Sequence, residues 1–318
     1  MKETLRPGTN KVFELKNKSF RYIELYFDIV QDGGLTYLVD DTQYFDLSKV
    51  SFIVKSKQAG VQNDYSMSLD KLAAISELGE ISMINQYGYI NLRCEETKPA
   101  ADITQARVKV TVDMGNVVNL KGGDFFNLTV NVALSTFVFP NVDPVASSIM
   151  LVIPDAIGYQ EFITLFEEHS IAGNSSKFSQ DLGDEVETVL FYNNNRANYG
   201  NVDVSSAGQL IERFELNSDK GTFSEDGFML VDELVNIGAK DPTIRLAIAK
   251  SRVIHDGSEL NRCRIDMTLA SANIVASENY LLVRKTFETP GIIDRTEMLE
   301  SKHYAQKIGE IASKYSKK

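Results

Sequence analysis

The chain has 318 residues, a hydrophobic fraction of 43% and a formal net charge of −11, so it is ordinary globular material with enough apolar residues for two domains. The negative charge disfavours a protein that binds duplex DNA, because phosphate contacts need a basic face, and we expect no specific nucleic-acid recognition. Cys94 and Cys263 lack CxxC spacing, which favours buried thiols in a reducing compartment over a disulfide or zinc site.

The N-terminus lacks the apolar segment of a secretory signal, and no apolar run approaches ~18 residues. We therefore expect neither export nor a transmembrane helix.

The first half is dominated by the alternation of apolar and polar residues that is typical of half-buried β-strands. The segment 68–79 breaks this pattern, because Leu69, Leu72 and Ile75 follow helical spacing and Gly79 provides a stop. The Gly-Gly pair in 119–126 predicts a hairpin between two strands. Strands are predicted within 12–30, 50–56, 89–95, 106–114 and 126–139.

The last of these strands changes character along its length. "FNLTVNVALSTFVFP" (126–140) alternates up to Ser135 and then runs on as Phe137, Val138 and Phe139. A strand that alternates and then becomes wholly apolar predicts a sheet with one face on a core and with one end buried against another part of the structure.

The second half begins after a segment rich in turn residues at 141–148, which we interpret as a linker. The pattern of 154–170 predicts an amphipathic helix, with Tyr159, Phe162, Ile163 and Phe166 on one side, and 172–187 is interpreted as a loop. A short helix is predicted at 228–238. Strands are predicted at 188–194, 208–217, 243–254, 261–274 and 279–288.

The two halves share one order of elements: strands, a short helix, then strands. "DKLAAI" (70–75) and "DELVNI" (232–237) occupy matching positions in the two series, which favours two related β domains. The expected organisation is an N-terminal arm (1–10), a first β domain (11–140), a linker (141–148), a second β domain (149–291) and a C-terminal helix (292–318).

Residues for catalysis or metal binding are sparse in the sequence. His169, His255 and His303 lack metal-ligand spacing; we place the first and last on helices and His255 before a hairpin turn. Nucleotide-binding and nucleophile-elbow motifs are missing, so we expect no enzyme and no cofactor. The acidic loops around Asp40, Asp41 and Asp46 and at 180–187 leave a structural calcium ion possible.

The C-terminal segment 294–318 predicts a helix with an apolar stripe and a basic side. The simplest interpretation is a helix docked on a sheet, and the alternatives are contact with an anionic membrane or with nucleic acid. The stripe consists of Leu299, Tyr304, Ile308, Ile311 and Tyr315. The basic side chains that we single out are Lys302, Lys307, Lys314, Lys317 and Lys318.

Two tandem β domains, each with an inserted short helix, followed by a helical tail, resemble the double jelly-roll major capsid proteins of icosahedral, membrane-containing bacteriophages (the tectivirus and corticovirus kind). The late strands within 126–140 and 264–274 fit the two barrels. The resemblance implies two jelly-roll barrels in tandem and a mainly β fold, and it implies that the apolar strand end at Phe137, Val138 and Phe139 is buried between barrels or subunits. It also implies homotrimeric, pseudo-hexameric capsomers in an icosahedral shell, other capsid proteins as partners, and a virion location after synthesis in the host cytoplasm.

The same resemblance suggests that the five lysines face an internal membrane or genome. Three alternatives remain. A carbohydrate-binding or adhesin-type β-sandwich would use surface aromatics such as Tyr192 and Tyr199 in 191–201. A β-rich enzyme of the cupin kind would need clustered histidines. Another phage structural protein, of tail or spike, would differ in its assembly.

Overall fold

The computed structural model describes residues 1–32, 44–76, 105–138, 142–158, 160, 162–172, 176–193, 211–226, 251–269 and 279–288. Over these residues the chain forms sixteen strands in four antiparallel sheets of four strands each. The predicted elements at 89–95, 228–238 and 292–318, and residues 243–250 of the strand predicted at 243–254, lie outside the described residues. No helix in the described ranges is long and apolar enough to cross a membrane.

The first eight strands form two sheets with the orders β1-β8-β3-β6 and β2-β7-β4-β5. Within the described ranges, the α-helix α1 follows β5, and short 3-10 turns lie at Leu47–Lys49 and Leu134–Thr136. The bounds are β1 (Lys2–Leu5), β2 (Asn10–Leu15), β3 (Ser19–Val30), β4 (Val50–Gln58), β5 (Val61–Ser68), α1 (Leu69–Ser76), β6 (Gln105–Asn119), β7 (Phe125–Val132) and β8 (Ser148–Val152).

The next eight strands form sheets with the orders β9-β16-β11-β14 and β10-β15-β12-β13. The bounds are β9 (Phe162–Ile171), β10 (Lys177–Gly183), β11 (Val186–Asn193), β12 (Ile211–Ser218), β13 (Gly221–Asp226), β14 (Ser251–Leu260), β15 (Cys263–Leu269) and β16 (Asn279–Glu288).

Adding eight to each strand number of the first set gives the order of the second set. Strands one, eight, three and six pair in one sheet and strands two, seven, four and five in the other, which is the strand order of a jelly roll. The fold is therefore two jelly rolls in tandem, as the sequence predicts. We call them the first and second barrels.

The alternation of the sequence sets the core of the first barrel. On β7, Phe126, Leu128, Val130 and Val132 are buried, and the polar residues between them point outward, as predicted. Phe20 meets Phe126 edge-on at 5.2 Å between ring centroids, which ties the two sheets together.

Two predictions of local structure in 154–187 are wrong. Residues 162–171 form β9 rather than a helix. Both faces of this strand contact protein, so its apolar residues do not alternate, and Phe162, Ile163 and Phe166 happen to fall at helical spacing. Residues 177–183 form β10 rather than a loop; the exposed edge strand β10 needs few apolar residues.

The Gly-Gly turn at 119–126 exists, but it does not form a hairpin. Gly122 and Gly123 both have positive φ, which glycine adopts without strain. However, β6 pairs with β3, whereas β7 pairs with β2 and β4. The turn therefore carries the chain from one sheet to the other, and local sequence cannot distinguish that crossing from a hairpin.

Strand pairing also differs from the expected boundaries at both ends of the first barrel. β1 lies within the predicted arm and pairs with β8, which begins inside the predicted linker. Ile149 and Leu151 of β8 are buried in the first barrel, so the first set of strands ends at Val152. The chain passes to the second set through 153–161.

The two barrels stand side by side with the same orientation. In each, three tight turns lie together at one end, which we call the turn end: 16–18, 59–60 and 120–124 in the first barrel, and 184–185, 219–220 and 261–262 in the second. Asn116 meets Phe162 towards this end, and Asp70 meets Tyr192 at the opposite end, so the turn ends point the same way.

Candidate functional site at the junction of the two barrels

The β9-β16-β11 part of the second barrel is covered on both of its faces. Val189, Phe191, Leu281 and Val283 point into the second barrel, while the residues that alternate with them point towards the first barrel. Leu190, Tyr192, Leu282 and Phe166 belong to the same apolar cluster as the core of the first barrel. The two cores are thus separated by one sheet, and the continuous apolar sequence of β11 and β16 is explained by burial on both faces.

Helix α1 fills the junction furthest from the turn end. The Tyr192 hydroxyl donates a hydrogen bond to Asp70, and both side chains are buried. Lys71, only 7% exposed, makes an ion pair with Glu168 at 2.7 Å. Its ammonium also lies 3.2 Å from the centroid of the Tyr280 ring, a cation–π contact.

The middle of the junction is formed by aromatic rings and one arginine. Tyr65 on β5 meets Phe166 on β9 edge-on at 5.6 Å between centroids. Arg284 Nη1 donates to the carbonyl of Ile75 near the end of α1 at 3.4 Å. Burial raises the pKa of the Tyr65 hydroxyl, so this ring stays neutral.

Nearer the turn end, the backbones of the two barrels come close together. The side-chain amides of Asn63 and Asn116 donate to the carbonyls of Thr164 and Phe162 at 3.1 and 2.7 Å. A Cβ atom on Gly115 would lie 2.8 Å from Thr164 Oγ1, so only glycine fits there without displacement. Gln160 Nε2 donates to Gln58 Oε1 at 3.0 Å and closes this side.

A polar cleft of about 410 Å³ opens between these contacts. Arg21 binds Asp113 through two hydrogen bonds of 3.0 and 2.9 Å, and this pairing raises the pKa of the guanidinium above its ordinary value. On the opposite wall, Arg284 Nε lies 3.1 Å from Glu187. Each of the two arginines is paired with a carboxylate, which suits a structural seam between barrels more than a site that binds a charged substrate.

The two histidines within the described residues, His169 and His255, lie on different strands. His169 lies on strand β9, not on a helix, with Nε2 3.3 Å from its neighbour Glu167. His255 lies within strand β14, not before a hairpin turn, and its Nε2 is 2.9 Å from the Ser258 carbonyl. His303 lies outside the described residues. Within the described ranges, no three His, Cys, Asp or Glu residues are grouped as metal ligands.

Acidic residues considered for calcium instead bind neighbouring backbone amides. Asp46 Oδ1 accepts from the Ser48 amide at 3.0 Å, and Asp181 Oδ1 accepts from the Gly183 amide at 3.0 Å. Asp184 accepts from the Arg262 amide at 2.8 Å. Asp40 and Asp41 lie outside the described residues.

Three further residues acquire a structural explanation. Phe137 packs against Phe27 at 6.4 Å between centroids and is buried in the first barrel, so its expected burial against another barrel or subunit is wrong. Tyr192 is buried at the junction and is no surface aromatic for a sugar; Tyr199 lies outside the described residues. Burial raises the pKa of the Cys263 thiol to about 11, as in a buried free cysteine.

The lysines of the C-terminal segment, Lys302 to Lys318, also lie outside the described residues. Sequence reasoning did not identify the junction itself. The signal available was the uninterrupted apolar character of 189–192 and 281–283, which differs from the strict alternation of β3.

No protein-family model and no curated protein matches the sequence. Among solved structures, the chain is similar to double jelly-roll major capsid proteins. The major capsid protein of Sulfolobus turreted icosahedral virus is 14% identical, with a TM-score of 0.44 over 91% of this chain and 96% of that chain. Major capsid protein P2 from bacteriophage PM2 is 11% identical, with a TM-score of 0.42 over 91% of this chain and 98% of that chain.

Proposed function

We propose that this protein is a viral structural protein, a major capsid protein whose homotrimers form pseudo-hexameric capsomers of an icosahedral shell. The observation that carries the proposal is the junction: two barrels of identical strand order share a sheet that is buried on both faces. The role is non-enzymatic, since the surfaces rather than a reactive centre are the function. The protein would be made in the host cytoplasm and reside in the virion.

The side-by-side arrangement of the two barrels suits a subunit that packs with copies of itself in a closed shell. Two similar barrels with the same orientation give a block with distinct turn and loop ends and with lateral faces available for neighbours. Three such blocks around an axis present six similar barrels, which fill a near-hexagonal outline. Closed rotational symmetry of this kind is the usual arrangement of soluble homo-oligomers.

The oligomer is tested on the purified full chain by sedimentation velocity near neutral pH and by negative-stain microscopy. The expected result is a trimer with a hexagonal outline, and shells where assembly proceeds. A species that remains monomeric as the protein concentration is raised contradicts the proposal and favours a β-sandwich binding protein.

The basic segment is assigned to the shell interior, where it would contact an internal membrane. Each lysine near an anionic surface contributes ~1 kcal/mol, so the attraction would be weak and sensitive to salt. Replacing Lys302, Lys307, Lys314, Lys317 and Lys318 with Gln should reduce binding to anionic vesicles and lower particle yield at low salt. The matched control replaces the same five with Arg, which keeps the charge. Unchanged binding and yield in the Gln variant would leave the segment a structural helix only.

A further inference from the structure

The sheets β2-β7-β4-β5 and β10-β15-β12-β13 have the same place in the two barrels, and each turns one face away from the core of its own barrel. On the two central strands of each sheet, the outward side chains form rows of two. In the first barrel the rows are Asn131 with Ser51, Thr129 with Ile53, and Asn127 with Lys55. In the second barrel they are Thr268 with Arg213, Asp266 with Glu215, and Arg264 with Asn217. The two outward faces can therefore be compared row by row.

The two faces differ in their charge. Among these central side chains, Lys55 alone is charged in the first barrel, whereas the charged ones in the second barrel are Arg213, Glu215, Arg264 and Asp266. Each arginine of the second barrel pairs with an acid on its own strand, at 2.7 and 3.4 Å, as on a solvated surface. Because charged side chains are costly to remove from water, their depletion marks the centre of protein interfaces. The first barrel therefore carries the face that a partner can cover.

The edge strands β2 and β5 extend the uncharged pattern of the first barrel. Val12, which is 58% exposed, lies beside Thr129, and Ser66 lies beside Ile53, so the middle row crosses the whole sheet without a charge. A second row is also uncharged and consists of Asn10, Asn131, Ser51 and Ser68. The third row consists of Glu14, Asn127, Lys55 and Asp64. We call the outward side chains of these three rows the neutral face.

The charge of the whole chain indicates which partner fits the neutral face. The formal net charge is −11, so two copies of the chain repel each other over most of their surfaces. The neutral face carries Glu14 and Asp64 against Lys55, and two copies can therefore approach here with little repulsion. A basic partner would be attracted to the acidic surfaces instead. The face thus fits a second copy of this chain.

We propose that the neutral face binds the neutral face of a second copy across a two-fold axis parallel to the strands, and that this contact joins neighbouring capsomers. The inference rests on the proposed capsomer function, and it concerns the contact between capsomers rather than the contacts within one. The interface is isologous, since the same surface is used on both sides. An axis parallel to the strands keeps the turn ends of both copies on one side, as a closed shell requires.

Under this symmetry each row meets the same row of the second copy in reverse order. In the middle row, Thr129 faces Ile53 of the second copy, so β-branched side chains pack on each other. In the third row, Lys55 faces Asn127 of the second copy and lies next to Glu14 of that copy, which compensates its charge. The neutral face is therefore complementary to itself.

The size of the neutral face suits a contact that is made many times. Four strands about 4.8 Å apart and three rows about 7 Å apart cover roughly 400 Å² per copy. A stable complex buries about 800 Å² per partner, so one such contact is weak. A trimer carries the face on each of its three chains, and the contacts then add up. Capsomers should accordingly remain separate when dilute and associate when concentrated.

The first experiment places one charge at the centre of the neutral face and follows association beyond the trimer by light scattering at rising protein concentration. Thr129→Glu is the test variant. Thr268→Glu is its matched control, because it adds the same charge at a half-buried outward threonine on the corresponding strand of the second barrel. The wild type and the control should form larger particles at the same concentration. Thr129→Glu should need a concentration about tenfold higher or more, since like charges then meet across the axis.

A second variant guards against a failure of folding. Val12→Glu changes an exposed position on the edge of the neutral face, where a charge does not disturb the core, and it should weaken association in the same direction. Circular dichroism and sedimentation velocity should show wild-type secondary structure and intact trimers for all of these variants.

Mixing variants of opposite charge tests whether the face binds its own kind. Thr129→Glu and Thr129→Lys should each associate poorly alone, because like charges meet. An equal mixture of the two places a lysine against a glutamate across the axis, and association should return to near the wild-type concentration. A mixture that associates no better than its components shows that the neutral face does not bind another neutral face, and overturns the inference.

The remaining outcomes separate this inference from the proposed function. If Thr129→Glu and Val12→Glu associate as the wild type does, or if wild-type trimers never associate further, the capsomer proposal stands and this interface is wrong. If the folded variants lose the trimer itself, the face lies within the capsomer and the inference is overturned. If the wild-type protein is monomeric throughout, the capsomer proposal and the inference fail together.

Discussion

The outward faces of two equivalent sheets have different environments in the two barrels. On β11 and β16, Leu190, Tyr192 and Leu282 are fully buried because the first barrel lies on them. On β3, which has the place in the first barrel that β11 has in the second, the outward-facing Glu24 and Tyr26 are half-buried, and Glu24 makes an ion pair with Lys109. One fold position is therefore a core in one barrel and a surface in the other.

The difference shows how two copies of one fold come to have different sequence patterns. A strand with both faces covered loses its alternation and becomes continuously apolar, as in 189–192, whereas a strand with one wet face keeps it, as in 22–29. Because the first barrel covers the outward face of β11 and β16 whereas the outward face of β3 is only half-buried, the two barrels have different environments within the chain.

The largest expected effect comes from truncating the covered face. Leu190→Ala removes apolar contacts between two cores and leaves a cavity, so the free energy of unfolding should fall by about 2–5 kcal/mol. Glu24→Ala, on the corresponding strand of the first barrel, should cost less than about 1 kcal/mol, since it removes a partly exposed ion pair. Urea denaturation measures both. Equal losses would mean that the two faces are not as different as their burial indicates.

The close approach of backbones at the junction is expected to be next in size. Gly115 has φ +80°, and its Cβ would meet Thr164 Oγ1 at 2.8 Å, so Gly115→Ala should cost about 1–3 kcal/mol. Gly122→Ala is the matched control, with φ +59° and no atom within 4 Å, and should cost about 1 kcal/mol from backbone strain alone.

Thermal melts of a double variant identify the cause. Adding Thr164→Ala to Gly115→Ala should recover the part due to the clash and bring the loss near that of Gly122→Ala. No recovery would show that backbone conformation, rather than contact between barrels, requires the glycine.

A loss of similar size is expected when the buried hydroxyl at the junction is removed. Tyr192→Phe removes the hydrogen bond to the buried Asp70 carboxylate and should cost about 1–3 kcal/mol, because the carboxylate loses a donor away from water. Tyr26→Phe removes a bond to the better solvated Glu24 and should change stability by less than about 0.5 kcal/mol. Chemical denaturation of both variants checks the ratio, and a cost for Tyr26→Phe as large as that for Tyr192→Phe would contradict it.

The smallest expected effect is a pH dependence on β9. Burial tends to raise the pKa of Glu167, but hydrogen bonds from His169 and Lys285 outweigh it and hold the pKa below its ordinary value of 4.5. A depressed folded-state pKa means that the stabilisation is present above pH 4.5 and is lost as the pH falls through the folded-state value. Because Glu167 is a third exposed, the contribution should be below about 1 kcal/mol.

Melting temperatures between pH 3 and pH 7 should show a shallower acid limb for Glu167→Gln than for the wild type. Glu14→Gln is the control, because its pair with Lys16 is well exposed on both sides. Identical slopes for all three proteins would show that Glu167 does not contribute to the pH dependence of stability.

The sequence by itself determined the β class, the alternation along β3, β4, β6 and β7, and the short helix that was predicted at 68–79 and lies at Leu69–Ser76. Alternation and helical spacing are local patterns, and in a strand with one solvent-exposed face the alternation shows which side chains are buried. The repeated order of elements also gave two related barrels. The error at 162–171 arose because a strand in contact with protein on both faces no longer alternates, and its apolar residues then imitate a helix.

Only the tertiary structure decided which barrel covers which face. The 120–124 turn connects the two sheets of the first barrel, and Phe137 packs in the core of the same barrel. Tyr192 and Asp70, which are 122 residues apart, are hydrogen-bonded at the junction. Each of these depends on contacts between segments far apart in the chain. The free energy of such a contact depends on both surfaces together, so the local sequence of one segment does not predict it. The pattern of a strand tells how much of it is buried, and the fold tells what buries it.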